Sequence, residues 1–329
     1  MHTEIGQRGR LTRRRAMLSL AGFGAGILTA PRAARAQSTP AAAIWPVTIT
    51  HAMGETTIPE RPERIVAAGD FVDLDYLLTL GLEPVLYGFT NAWESGAMPW
   101  QGAAADIPTF DATADLDLEA IAAARPDLIV TMPMYVDDWY DTLNAIAPTV
   151  VIDWDDPWRD ALRMLARVTG ENERAEAEIA RADELIAHAA SQLTDAEGMP
   201  LMVGFQYGDS FYIWGAEGSG PKLFQDLGLE FVGGEDPVLT QASPEQVALL
   251  NPAELLLSVD SDPAAITLQE ASPLFQALPA VKRGGYGVLS VQQSRAMADG
   301  ASPLSLEWAL PGFVELIQHL AAGEGKRLP

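Results

Sequence analysis

Apolar residues between positions 172 and 193 recur at steps of three and four, which is the spacing of one helix face. They are Ala175, Ile179, Ala182, Ile186, Ala189 and Leu193. Charged residues such as Glu176, Arg181 and Asp183 fill the positions between them, as on a solvated outer face. Gly170 interrupts the preceding helical pattern, and Asn172 is predicted to cap the new helix. The pattern therefore predicts one long rigid α-helix of roughly 33 Å.

Short apolar runs alternate with helical patterns on both sides of this helix. The predicted strands cover residues 64–68, 84–88, 127–131 and 149–152 before it, and 201–205, 254–258 and 287–291 after it. Strands that alternate with helices favour mostly parallel sheets covered on both faces. The predicted fold is therefore α/β. An N-terminal lobe (37–170) and a C-terminal lobe (196–329) are joined by the linking helix (171–195).

Two sequence matches relate the predicted lobes. The tetrapeptide Leu-Gly-Leu-Glu occurs at 80–83 and again at 227–230, each time between a predicted helix and a predicted strand. Glu119 and Glu245 each begin a short helical pattern that ends at a proline seven residues later. Two matches in the same order indicate two lobes of one plan, and a cleft between such lobes is a common ligand site.

The first 36 residues have the pattern of a cleavable export signal. Arginines at positions 13–15 precede the apolar run 16–30, and Ala34-Arg35-Ala36 is a small-residue cleavage site. The paired arginines indicate twin-arginine export, with the general secretory route as the alternative. The apolar run is too short to span a bilayer comfortably. We therefore expect a periplasmic protein without membrane insertion.

Composition narrows the function further. Without the seven arginines and one glutamate of the signal, the formal net charge falls from −24 to −30. Such acidity argues against nucleic acid as a partner, because the phosphates would be repelled. The chain contains no cysteine, which excludes disulfides, thiol catalysis, thiolate metal sites and a lipid anchor on an N-terminal cysteine.

Five segments together resemble the periplasmic binding proteins of iron–siderophore and cobalamin ABC importers. They are residues 64–67, 77–85, 117–121, 125–129 and 278–282. The resemblance covers nearly the whole mature chain. It implies two α/β lobes bridged by one helix, limited hinge motion, and capture of a ligand for an inner-membrane permease. It also implies that Glu119 and Glu245 are the surface acids that dock on permease arginines. Without the resemblance, each would be an ordinary acid in the first turn of a helix.

Ligands of parallel α/β sheets lie beyond the carboxyl ends of the strands, and aromatic side chains concentrate there in this sequence. The predicted ligand-binding residues are Trp93, Trp100, Met132, Tyr135, Trp139, Tyr207, Tyr212, Trp214 and Arg295. Planar side chains can pack on the organic shell of a metal chelate without touching the metal. Tyr135 matches an aromatic ligand contact of the hydroxamate-siderophore binders that the sequence resembles. Trp214 is the strongest single candidate, because the glycine-rich segment 215–220 beside it is a poor place for core residues.

Arg295 is the only basic residue between Arg283 and Lys326, and its guanidinium could bind anionic hydroxamate oxygens. A surface ion pair is the alternative. The hydroxamate binders that this sequence resembles also use an arginine before the helix of Glu119. The segment 110–117 contains acids and no arginine, which puts ferrichrome-like coordination in doubt.

The leading hypothesis is a monomeric periplasmic binding protein for an Fe(III)–siderophore, with no cofactor and no directly bound metal. Haem or cobalamin is the alternative cargo, and Tyr135, Tyr207 or Tyr212 could serve as an axial haem ligand. An exported enzyme is less well supported, because the three histidines of the mature chain are scattered and no catalytic motif accompanies them.

Overall fold

The computed structural model describes residues 45–69, 72–89, 97–113, 115–133, 139–153, 156–207, 210–217, 219–236, 239–260, 263–299 and 301–327. The predicted signal segment 1–36 lies outside these residues. The described chain begins with an antiparallel hairpin of β1 (Val47–His51) and β2 (Gly54–Ile58). Ile49 and Ile58 of this hairpin are buried in the hydrophobic core.

A parallel sheet follows, and we call it the first sheet. Its strands are β3 (Ile65–Ala67), β4 (Leu86–Phe89), β5 (Thr109–Asp111), β6 (Leu128–Thr131) and β7 (Thr149–Val151). They lie in the order β5-β4-β3-β6-β7, with every pair parallel. Along β3, Ile65 and Ala67 join one buried cluster and Val66 joins another, because successive side chains point to opposite faces. Both faces of the sheet are therefore covered, as the apolar runs predict.

Four helices accompany the first sheet in the described residues: α1 (Val72–Thr79), α2 (Leu118–Ala123), α3 (Tyr140–Ile146) and α4 (Trp158–Thr169). The next helix, α5 (Asn172–Ser191), is the long helix that the sequence predicts. Its buried residues are Ala175, Ile179, Ala182, Ile186 and Ala189, which are five of the six predicted apolar positions. The sixth, Leu193, is buried but follows the end of the helix at Ser191, so the predicted helix is too long at this end. At about 1.5 Å per residue it is about 30 Å long.

The predicted cap of α5 is wrong by one residue. Glu171 is the N-cap, and Asn172 is the first helical residue. The helix α4 ends at Gly170, whose φ of 85° reverses the chain, and the N–H of Glu171 still donates to Ala166 O at 2.9 Å. The Glu171 carboxylate binds Arg61 at 2.5 Å instead of capping the helix with its side chain. One chain reversal therefore ends α4 and starts α5.

The second sheet contains parallel and antiparallel strands. They are β8 (Pro200–Tyr207), β9 (Ser210–Trp214), β10 (Glu230–Phe231), β11 (Leu239–Ala242), β12 (Leu255–Asp260), β13 (Tyr286–Ser290) and β14 (Lys326–Arg327). The order is β11-β9-β8-β12-β13-β14, and β10 also pairs with β8. β9 runs antiparallel to both β8 and β11, whereas the other pairs are parallel.

The segment after residue 205 is where the predicted elements differ most from the structure. The sequence pattern predicts a strand that ends at Phe205 and no strand over 210–214, but β8 continues to Tyr207, and Tyr212 and Trp214 lie on β9. Phe211 and Ile213 are buried while Tyr212 and Trp214 are half-buried, which is the alternation of a strand. All four residues are apolar or aromatic, so the alternation is hidden in the sequence.

The helices of the second half are α6 (Ser219–Asp226), α7 (Pro263–Ala271), α8 (Pro273–Gln276), α9 (Pro279–Lys282), α10 (Val291–Ser294) and α11 (Pro303–Ala321). A 3-10 helix covers Pro244–Leu250, and a π-helix covers Arg295–Asp299. Helix α11 packs along α5, and Arg181 of α5 pairs with Glu307 of α11 at 2.6 Å. One hydrophobic cluster contains residues of both sheets, of α5 and of α11. The two helices therefore connect the cores of the two halves.

The Leu-Gly-Leu-Glu repeat forms the same turn twice. Gly81 and Gly228 have φ of 73° and 89°, a left-handed conformation that glycine adopts without strain. Leu82 N donates to Leu77 O at 2.9 Å, and Leu229 N donates to Phe224 O at 3.1 Å. Each turn therefore ends a helix in the manner of a Schellman motif. Within the part of the chain that the structure describes, no helix is long and apolar enough to cross a membrane.

Candidate functional site

The edge of the first sheet where β3 and β6 end is the candidate ligand site of the first half. The chain leaves β3 toward β4 on one side and leaves β6 toward β7 on the other. Ligands of open α/β sheets bind at such switch points. Ala68 N donates to Val130 O at 2.7 Å, and Gly69 N donates to the Asp73 carboxylate at 2.7 Å. Thr131 ends β6 with no exposed surface, and its hydroxyl has no hydrogen-bond partner in the described residues.

Two predicted ligand residues follow β6 in the structure, Met132 and Trp139. Two others, Trp93 and Tyr135, lie outside the described residues. Met132 has no exposed surface and packs in the core, and Trp139 is half-buried against the apolar cluster on the opposite face of the sheet. The structure thus gives Met132 and Trp139 packing contacts, and ligand contact by any of the four stays a prediction.

Trp100 lies in a buried polar network that joins the two halves. Its indole N–H donates to Asp75 Oδ2 at 2.7 Å, and its ring lies 5.2 Å from that of Trp308 on α11. The hydroxyl of Ser302, the N-cap of α11, donates to the same Oδ2 at 3.0 Å. The Gln101 side-chain amide donates to Asp75 Oδ1. The Asp75 carboxylate of α1 therefore binds the start of α11 directly.

Sequence reasoning missed this network. Burial raises the pKa of Asp75 to about 7, although the hydrogen bonds from Gln101, Trp100 and Ser302 oppose that rise. Burial, and then the neighbouring Asp75 charge, also raise the pKa of Tyr76, whose hydroxyl donates to Ala301 O at 3.3 Å. The sequence does contain one sign of the network, which is an aspartate among the apolar residues of α1. An acid that is buried there needs hydrogen-bond partners.

The second half brings aromatic residues together on β8 and β9. Phe205 and Tyr212 are cross-strand partners with stacked rings 5.2 Å apart. Trp214 follows on the same face of β9 and packs against the core while staying half-buried. Tyr207 ends β8 and pairs with Ser210 across the hairpin. Tyr212 and Trp214 thus form part of a half-buried aromatic surface beside the carboxyl end of β8.

Arg295 begins the π-helix that follows β13 and α10, so it lies beyond the carboxyl end of a parallel strand, as predicted. It is 5% exposed. A guanidinium that is so well buried requires charged or polar partners, and Arg295 is engaged inside the protein. The Ser305 hydroxyl donates to the neighbouring Ala296 O at 2.9 Å, which fixes the π-helix against α11. Arg295 is therefore a buried residue with partners inside the protein, and its contact with a ligand stays a prediction.

Glu119 and Glu245 occupy equivalent places in the two halves. Each lies in the first turn of a short helix that leads to a parallel strand, β6 or β12, and each is exposed. Asp117 caps the first helix by accepting from Ala120 N at 2.9 Å. Hydrogen bonds from its own backbone and from Ser243 hold the pKa of Glu245 below its ordinary value. Both positions thus offer an exposed carboxylate on a capped helical turn.

Within the described ranges, no group of three histidine, aspartate or glutamate side chains is placed to hold a metal ion. The predicted ligand-binding residues are aromatic side chains, one methionine and one arginine. Such groups suit an organic ligand that brings its own charge and shape.

Residues 66–285, about two thirds of the chain, match the periplasmic binding protein family. The chain is 24% identical over 235 residues to the Fe(3+)-citrate-binding protein YfmC of Bacillus subtilis, covering 70% of this chain and 74% of YfmC. It is 27% identical over 285 residues to the ferric enterobactin-binding periplasmic protein FepB of Escherichia coli O6:H1, covering 77% of this chain and 87% of FepB. Both relatives are named as binding proteins and not as enzymes.

The crystal structure of PiaA from Streptococcus pneumoniae TIGR4 in complex with ferrichrome has the same fold. The TM-score is 0.72 at 22% sequence identity, covering 84% of this chain and 99% of that one. The α/β fold predicted from the sequence is therefore confirmed.

Proposed function

Because the chain belongs to the periplasmic binding protein family, we propose that it captures an Fe(III)–siderophore in the periplasm and delivers it to an inner-membrane ABC permease. The observation that carries this proposal is the family match together with relatives named for ferric citrate and ferric enterobactin. The likeness of fold to a ferrichrome complex is consistent with it. The iron complex is cargo, and the proposal requires no cofactor.

We infer that the mature protein is a monomer with two lobes, 37–170 and 196–329, joined by the segment 171–195. Two separate sheets with α5 between them along the chain support this division. The segment 1–36 is proposed to be a twin-arginine signal removed on export.

The cargo is proposed to be a hydroxamate complex, on the basis of charge. Arg295 is the only basic residue between Arg283 and Lys326, and the mature protein carries −30. Ferric tris-catecholates carry about three negative charges, and each uncompensated like-charge contact at 4 Å costs roughly 1 to 4 kcal/mol. Distant surface acids are screened over about 8 Å, so the local shortage of cations is the stronger argument. FepB, a relative of this chain, is named for ferric enterobactin. The proposed preference for hydroxamates therefore applies to the cleft of this chain and not to the whole family.

In the proposed complex, Tyr212 and Trp214 pack on the organic shell of the siderophore and Arg295 binds its anionic oxygens. The half-buried surface of β9 supports the first role. The place of Arg295 beyond the carboxyl end of β13 supports the second, because ligands of parallel α/β sheets lie at that end of the strands.

Tryptophan fluorescence titration of the mature protein is the test. The panel is several ferric hydroxamates, ferric enterobactin, ferric citrate, haem and cobalamin. We expect a neutral or cationic ferric hydroxamate to bind at least about tenfold more tightly than ferric enterobactin, which is about 1.4 kcal/mol. Arg295→Ala and Trp214→Ala should each weaken that binding. Tight binding of enterobactin without a response to any hydroxamate would overturn the charge argument, and binding of haem or cobalamin alone would replace the cargo.

Glu119 and Glu245 are proposed to dock on basic residues of the permease. Their equivalent places on two capped turns support a paired role. Exposed carboxylates at an interface rim mainly steer the encounter and set the register with a positive partner.

A further inference from the structure

A chain of buried hydrogen bonds runs from α1 in the first half to the π-helix that begins with Arg295. Asp75 Oδ2 accepts from the Ser302 hydroxyl at 3.0 Å. Ser302 and Ser305 cap α11 reciprocally, because Ser305 N donates to Ser302 Oγ at 3.0 Å and Ser302 N donates to Ser305 Oγ at 2.9 Å. The Ser305 hydroxyl in turn donates to Ala296 O at 2.9 Å. Ala296 directly follows Arg295.

We propose that Asp75 is a positioning residue of the ligand site, and that gain or loss of its proton changes the affinity for the cargo through this chain. This role rests on the proposed function, in which Arg295 binds the cargo. The four residues that precede Arg295 in the chain of hydrogen bonds have no exposed surface, so solvent does not replace these bonds. A parallel bond supports them, because the Tyr76 hydroxyl donates to Ala301 O at 3.3 Å.

The charge of Asp75 decides the direction of its bond to Ser302. The Trp100 indole and the Gln101 side-chain amide donate N–H groups, and the ionised carboxylate accepts from both and from Ser302. The protonated acid brings a hydrogen of its own, and of these three partners the Ser302 hydroxyl is the one that can become an acceptor. Gln101 cannot turn its amide, because its Oε1 accepts from Met98 N at 2.7 Å.

The ionised form of Asp75 should therefore favour the cargo. Hydrogen bonds to an ionised group are roughly twice as strong as neutral ones, so the carboxylate holds the start of α11 and the attached π-helix more firmly. A π-helix that is held in one position presents Arg295 already ordered, which lowers the entropy lost on binding. By linkage, a cargo that prefers the ionised form displaces the proton of Asp75 when it binds.

Both protonation states of Asp75 are reached near neutral pH. Burial raises its pKa to about 7, against the three hydrogen bonds to neutral donors. Tyr76 stays protonated in this range, because burial and then the Asp75 charge raise its pKa.

Charged residues also lie on or beside α1, and each is exposed or has a partner of its own. They are Asp73, Asp156, Arg159, Arg163, Arg174 and Glu307. A variant at Asp75 separates its titration from theirs and from that of the histidines.

Calorimetric titration of the mature protein with ferrichrome, a neutral iron complex, tests the proposal at pH 5.5, 7 and 8.5. At pH 7 the titration is repeated in two buffers of different ionisation enthalpy, which gives the number of protons released. The variants are Asp75→Asn, Ser302→Ala and Tyr76→Phe, and Asp141→Asn on α3 is the exposed control. Thermal melting at each pH checks that each variant is folded.

The original protein and Asp141→Asn should bind about fivefold more tightly at pH 8.5 than at pH 5.5, and should release a fraction of a proton at pH 7. Asp75→Asn should lose both effects. Ser302→Ala should also lose them, because it interrupts the chain and leaves Asp75 in place. Tyr76→Phe removes the parallel bond but no group that titrates here, so it should weaken binding at every pH and keep the pH dependence. An unchanged pH dependence in Asp75→Asn or in Ser302→Ala would overturn the proposal.

Hydrogen exchange keeps this test separate from the cargo assignment. After correction for the intrinsic rate, amides of the π-helix and of the first turn of α11 should exchange more slowly at pH 8.5 than at pH 5.5 in the ligand-free protein, and Asp75→Asn should lose this difference. If ferrichrome does not bind, the cargo is wrong, and the calorimetry is repeated with the ligand of the panel that does bind. If ferrichrome binds and neither affinity nor exchange depends on Asp75, the positioning role is wrong and the cargo stands.

Discussion

The carboxyl group of Asp75 should change how the stability of this protein depends on pH, and Asp75→Asn tests this. Burial raises its pKa from 3.8 to about 7 against the opposing hydrogen bonds from Gln101, Trp100 and Ser302. Between these two pH values the folded protein keeps a proton that the unfolded chain has released. The free energy of unfolding contributed by this group is therefore greatest below pH 4 and decreases as the pH rises through 7.

The magnitude follows from the structure. At about 1.4 kcal/mol for each pH unit between 3.8 and about 7, the group contributes about 4 kcal/mol less stability above pH 7 than below pH 4. Asparagine cannot ionise and removes this dependence. The N–H₂ group of the asparagine would face a donor of Trp100, Ser302 or Gln101. A buried donor that is left without an acceptor lowers the stability of the folded protein by about 1–3 kcal/mol. Gln101 is not free to turn its amide, because its Oε1 accepts from Met98 N at 2.7 Å.

Urea unfolding of both proteins from pH 4 to pH 8.5, followed by circular dichroism, measures the effect. We expect Asp75→Asn to be about 1–3 kcal/mol more stable than the original at pH 8 and about 1–3 kcal/mol less stable at pH 4. Asp141→Asn, which removes an exposed carboxylate on α3, is the control and should show no such crossover. The reasoning would be refuted if the stability difference between Asp75→Asn and the original protein stayed constant across the pH range. Such a result would mean that folding does not shift the pKa of Asp75.

Three further predictions follow from the docking acids, α5 and the repeated glycine turns. Glu119→Arg and Glu245→Arg should each lower iron uptake in cells while ferrichrome affinity stays within about twofold in fluorescence titration. Ferrichrome binding should leave the radius of gyration from small-angle scattering nearly unchanged, because a helix between the halves resists the bending that flexible strands permit. Gly228→Ala should lower the stability measured by chemical denaturation, because the φ of Gly228 is positive. The loss should be only about 1 kcal/mol, because no atom lies within 4 Å of the added methyl group. Gly81→Ala should cost more, since its methyl would meet the Arg174 guanidinium.

The long helix and the first sheet could be predicted from the sequence because their signals are local. The buried face of α5 repeats with helical spacing, and its five buried residues are those that the spacing selects. The strands β3, β6 and β7 are short apolar runs between turn signals, as expected for strands buried on both faces. The glycine turns at 81 and 228 were visible as one repeated tetrapeptide.

The strand β9 is not among the strands that the sequence analysis predicts. Its aromatic residues lie beside a glycine-rich segment, which favours ligand contact over core packing, whereas Gly208-Asp209 between two apolar runs is a hairpin signal. In the structure, β8 and β9 are antiparallel neighbours, and Tyr207 is the register partner of Ser210. Tyr212 therefore has a register partner on each side, Phe205 of β8 and Gln241 of β11, and Trp214 is paired with Leu239 of β11.

The Asp75 network could not be predicted from the sequence, because Ser302 lies 227 positions after Asp75 in the chain. Ser302 accepts from Ser305 N at 3.0 Å to cap α11 and donates to Asp75 at 3.0 Å, so one hydroxyl serves the helix and the carboxylate together. Helix α11 in turn packs along α5. A change of charge at Asp75 therefore acts on the start of a helix that connects the two cores. For this reason, the pH dependence of the free energy of unfolding reports on the contact between α1 and the start of α11, and not only on the cost of burying one acid.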